Sequence, residues 1–91
     1  MKTVHEYTIP DLEEDYFSLE LPKGAKILSV QRQADNGKIW ALVDTEAKEE
    51  KRSFRQFETG APIVYNLKTL KYIGTLRVRH GGAVGHVFEI V

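Results

Sequence analysis

Apolar and polar residues alternate along most of the chain with the two-residue period of strands, not the longer helical period. Val4, Tyr7 and Ile9 enrich a first segment in strand formers, and Pro10-Asp11 ends it. In Tyr16–Leu21, Phe17, Leu19 and Leu21 fall on one face, opposite Tyr16, Ser18 and Glu20. Pro22-Lys23-Gly24 predicts a turn, because proline presets a negative φ and glycine accepts a positive one. Ile27–Gln33 follows, with Leu28 and Val30 expected inward. Asp35-Asn36-Gly37 carries the Asn-Gly signal for a type I′ hairpin. Its partner, Lys38–Asp44, is apolar on both faces, which predicts a central strand with Trp40 in the core.

Thr45–Lys51 is charged and reads as a loop or an exposed strand tip. Glu50–Phe57 resumes as a strand. Phe54 and Phe57 share no parity there, which points to a bulge near Arg55-Gln56, and its basic residues suit a sheet edge. Thr59-Gly60-Ala61-Pro62 breaks the pattern, and residues 63–71 fit either a short strand or one helical turn around Asn66–Leu70. Tyr72–Val78 places Tyr72, Leu76 and Val78 on one side, with Gly74 marking a bulge or close approach. Gly81-Gly82 forms the next loop, before a terminal strand Gly85–Val91. The expected fold is all-β: one small domain over residues 1–91, with about seven short, mostly antiparallel strands in a sandwich or partly open barrel.

Composition narrows the function more than it names it. Thirteen basic and thirteen acidic residues cancel, and with a pI near 6.8 long nucleic acid is a poor partner. There is no cysteine for a disulfide, thiol nucleophile or thiolate metal site. No apolar run approaches the roughly 20 residues of a membrane span. Met1–Glu6 has no signal-peptide hydrophobic region, so the expected setting is cytoplasmic, without a membrane partner. The charges are nevertheless sorted. Residues 1–21 hold six acids against one base, a balance of −5, and the remainder carries +5. No acid lies between Thr59 and Phe88, where Lys68, Lys71, Arg77 and Arg79 all fall.

Five blocks carry a resemblance: Pro22–Gln31, Ile39–Asp44, Thr59-Gly60, Tyr72–Thr75 and His86–Glu89. Together they resemble a family of small all-β proteins of phages and prophages known only as a domain of unknown function. The resemblance implies a phage-type setting and a compact β-fold. It carries over no functional residue.

No nucleophile elbow or comparable catalytic motif is present, and an acidic run such as Asp11, Glu13, Glu14 and Asp15 is ordinarily a solvated loop. The expectation is a non-enzymatic protein without cofactor. His5, His80 and His86 match no standard zinc spacing, so no metal is expected. A small anionic, nucleotide-like ligand asks for less. Arg77 and Arg79 share strand parity, with His80 and Lys71 nearby, and the N–H groups of Gly81 and Gly82 can donate to phosphate oxygens. A homo-oligomer would supply a second wall and offset the limited core of so short a chain. In that phage-type setting, the ligand reading becomes sequestration of a host-defence signal. The alternative is a protein-interaction module or inhibitor that engages a host or virion protein through Asp11, Glu13, Glu14, Tyr16 and Phe17.

Overall fold

The two-sided apolar run does occupy the centre of a sheet. The computed structural model describes residues 1–78 and 82–91, in seven strands. These are β1 (Lys2–Thr8), β2 (Tyr16–Pro22), β3 (Lys26–Gln33), β4 (Asn36–Asp44), β5 (Glu49–Glu58), β6 (Leu70–Arg77) and β7 (Val84–Ile90). A 3-10 turn, Leu67–Thr69, fills the segment that sequence left open between strand and helix. The strands form two antiparallel sheets, β1-β4-β3 and β2-β5-β7-β6, packed as a sandwich and not closed into a barrel. Among the described residues, no helix is long and apolar enough to cross a membrane.

The core lies between the sheets. Phe17 stacks on Phe54 at 5.0 Å, and Leu21, Ile39, Val43 and Val87 are sealed from solvent. Burying a side chain of this size contributes about 1.5–3 kcal/mol, so these few residues dominate the stability. β3 runs beside β6, where Gly74 leaves no side chain and Val30 fills the space. The bulge expected at Gly74 is present, as a register shift between Tyr72 and Gly74.

Several local expectations are corrected. The β3–β4 hairpin turns at Ala34-Asp35, with Ala34 at φ +54°, and Asn36 and Gly37 already belong to β4. Gly37 is needed for space: a Cβ there would lie 2.6 Å from Leu12 Cδ2 and 2.8 Å from Ile9 Cδ1. Leu28 is 48% exposed because the register slips between Ile27 and Ser29, which sends Ile27 and Val30 inward instead. Leu28→Ser is accordingly expected to change stability by no more than about 0.5 kcal/mol in urea melts of dilute protein. Trp40 is not in the core. It sits half-buried on the outer face of β4, since only Gly37, Ile39, Ala41 and Val43 point inward.

β5 is not a sheet edge; it lies between β2 and β7 and has no bulge at Arg55-Gln56. Phe54 faces the core and Phe57 the opposite side, so both are buried without any shift of register. The slip at Gly74 also puts Tyr72 on the outer face, away from Leu76 and Val78. Inside the sandwich, Arg52 donates to both Glu89 carboxylate oxygens (2.5 and 2.7 Å) and to the Ala25 carbonyl. The Glu89 hydrogen bond raises the Arg52 pKa above its ordinary value, so this cation persists across all working pH.

Candidate functional site: the outer face of the four-stranded sheet

Strand alternation exports a row of large side chains to the outer side of β2-β5-β7-β6. By register, Tyr16, Arg55, Phe88 and Tyr72 lie opposite one another across the four strands. Phe57, His86 and Thr75 form the next row, and Val84 and Arg77 follow. Rings meet edge to face along this surface: Tyr65 to Phe57 at 5.9 Å, Phe57 to Phe88 at 5.8 Å, and Phe88 to Tyr72 at 5.5 Å. Edge-to-face pairs at such spacings are attractive and hold the rings in place.

The chain after β5 covers part of this surface. Gly60 takes φ +88° and Ala61 N–H donates to the Glu58 carbonyl, so the chain turns sharply. Tyr65 is thereby laid against Phe57, with the Arg55 guanidinium carbon 5.4 Å from the Tyr65 ring centroid. A cleft of about 280 Å³ opens there, lined by Asp15, Arg55, Glu58, Pro62, Val64 and Tyr65, with Phe57 behind them. The Arg55 Nε is buried and, among the described residues, has no hydrogen-bond partner. Buried donors are nearly always paired, so this guanidinium beside the cleft departs from the usual rule.

His86 is fixed from both sides. Thr59 Oγ1 lies 2.7 Å from its Nε2 and Thr75 Oγ1 lies 3.0 Å from its Nδ1, and Thr75 Oγ1 is 2.6 Å from the Tyr72 hydroxyl. Hydroxyls can donate or accept, so they serve either tautomer. With both ring nitrogens occupied, His86 is an oriented part of the surface and not an open metal ligand. Its candidate partner His5 is exposed on the other sheet, and His80 lies outside the described residues. Among the described residues no group of three or more ligating side chains could hold a metal.

The residues expected at the ligand site are only partly gathered. Arg77 is exposed on this outer face and, among the described residues, forms no ion pair. Lys71 lies opposite Glu89 near the far end of β6, on the side facing away from Arg77, because the slip at Gly74 inverts the parity. Gly82 is exposed at φ +99°, and Arg79, His80 and Gly81 lie outside the described residues. In the acidic segment, Asp11, Glu13, Glu14 and Tyr16 are exposed, with the Tyr16 hydroxyl bonded to Ser53 Oγ at 2.9 Å. Phe17 is corrected: it is a core residue, stacked on Phe54, and unavailable to a partner.

Sequence reasoning did not single out Arg55, Tyr65, Thr59 or Thr75. The usable signal was Phe57, an apolar residue out of phase with Phe54, which requires a cover on the outer face.

A family model described as a domain of unknown function (DUF7352) matches residues 1–91, and the chain belongs to that family. No curated protein and no solved structure matches it.

Proposed function

We propose that this member of the family is a non-enzymatic binding protein for a small, ring-bearing anion of the nucleotide type, held on the outer face of the four-stranded sheet. The observation that carries the reading is Arg55, whose buried Nε has no hydrogen-bond partner among the described residues, beside a cleft walled by Tyr65. A heterocycle supplies what the cleft lacks: an acceptor for Arg55 and a flat face for Tyr65 and Pro62. Its ring N–H groups also suit the neighbouring carboxylate of Asp15. That carboxylate repels a phosphate from the cleft itself. Arg77, on the same face, takes the anionic group in the open, and a guanidinium grips phosphate through two parallel hydrogen bonds.

A homo-oligomer would place a second wall over this shallow site. The phage setting, with the ligand a nucleotide-derived signal of host defence, extends the reading on the strength of the sequence resemblance.

Thermal denaturation against a panel of linear and cyclic nucleotides tests it. At a ligand concentration about 100 times the Kd, binding should add roughly 2.7 kcal/mol, a shift of well over 10 °C for a domain of this size. Arg55→Met should remove the shift and leave the unliganded melting temperature nearly unchanged. A panel in which no nucleotide stabilises the protein overturns the proposal.

The exposed carboxylates of Asp11, Glu13 and Glu14, which among the described residues form no ion pair, favour a second reading: docking of a basic host or virion protein. Charge reversal at Glu13 and Glu14 should then abolish recovery of that partner in a pull-down.

A further inference from the structure

The outer face of the other sheet carries an apolar patch among charged residues. Val4 and Leu42 lie directly opposite each other on β1 and β4, at 50% and 39% exposure, and half-buried Trp40 is next on the same side of β4. The bulge in β3 adds exposed Leu28. An apolar patch bordered by charge is the usual make-up of a protein interface, with tryptophan the favoured anchor.

The charges at the two ends of this sheet are opposite. At the end where β1 begins, Lys2, Lys23 and Lys26 line a hollow of about 290 Å³ beside Asp44, and none of the three lysines forms an ion pair among the described residues. At the end where β1 finishes, Asp11, Glu13 and Asp35 line a hollow of about 260 Å³ beside Arg32. Arg32 pairs with Asp35 at 3.9 Å and donates to the Ala34 and Arg77 carbonyls, so among the described residues it forms no ion pair with Asp11 or Glu13.

From this layout we infer that the occupant of the face is a second copy of the chain. A two-fold axis through the apolar patch, perpendicular to the strands, sets the lysine hollow of one protomer on the acidic hollow of its partner, twice over, and joins the two patches. Such an isologous interface requires a surface that complements itself, which this polarity provides. Three strands about seven residues long cover only about 14 by 24 Å, less than half of the roughly 800 Å² per partner of a standard interface. The charged ends are therefore needed for a stable contact, and the dimer is expected to be salt-sensitive. The inference is independent of the ligand reading, since it uses the opposite sheet.

Sedimentation equilibrium of the full chain tests it. At roughly 100 µM and low salt, where an interface of this size should be populated, the mass should be twice 10.4 kDa. Leu42→Glu should be monomeric, with an unchanged far-ultraviolet spectrum confirming its fold. Lys2→Glu with Lys26→Glu should weaken association at least tenfold, as should Asp11→Lys with Glu13→Lys. An equimolar mixture of these two reversed proteins should recover the dimer mass, because each then presents what the other lacks. A monomeric wild type overturns the inference. So does a dimer that survives Leu42→Glu, or a mixture that fails to associate.

Discussion

Glu89→Ala is expected to destabilise the domain by about 3–5 kcal/mol in urea unfolding followed by circular dichroism, because it leaves a charge inside the sandwich without its hydrogen-bonded counter-ion, with only the weaker pull of Glu50 remaining. Glu89 and Arg52 side chains are only 7% and 16% exposed, and the guanidinium spans Glu89 and the Ala25 carbonyl. A domain of this size has about 5–14 kcal/mol in all, so the loss approaches the whole in the weaker half of that range. Replacing both partners by hydrophobic residues of similar volume, Arg52→Met with Glu89→Leu, should recover most of the loss, since neither desolvated charge remains. A Glu89→Ala protein within about 1 kcal/mol of wild type would show that water reaches the pair freely.

The second large effect is at Gly74. A Cβ built there would fall on Val30 Cγ1, a branched side chain that is itself buried and stiff in χ1. Gly74→Ala should cost about 2–3 kcal/mol, at the upper end of overpacking penalties. In a Val30→Ala background the same substitution should become neutral or stabilising. The backbone at Gly74 does not take a positive φ, so alanine fits it and lowers the entropy of the unfolded chain. The two changes are therefore strongly coupled, and their double-mutant cycle measures how tightly β3 and β6 abut.

Much of the fold was legible because strand alternation is a local property. β2, the Pro22–Gly24 turn and the central position of β4 could each be read from their own residues. What failed depended on groups distant in sequence. Asn36-Gly37 has the right chemistry for a hairpin turn, yet Ile9 and Leu12 claim the space over Gly37. Leu28 and Tyr72 changed sides because a bulge inverts every parity beyond it. The many basic residues of β5 suggested an edge, since Arg52 shows no local sign of its partner 37 residues away. At the candidate site, Arg77 followed from the acid-free stretch, whereas Arg55 and Tyr65 meet only because the chain after Gly60 folds back over Phe57.

Both register slips fall on β3 and β6, the two strands that abut. β1 and β2, at the far edges of their sheets, have no comparable approach. The molecule is thus bound along one side like the spine of a book and free along its fore-edge. Breathing motions should part the covers from the β1 and β2 margin, and the amides of β3 and β6 that bond to β4 and β7 should exchange with deuterated water more slowly than the paired amides of β1 and β2.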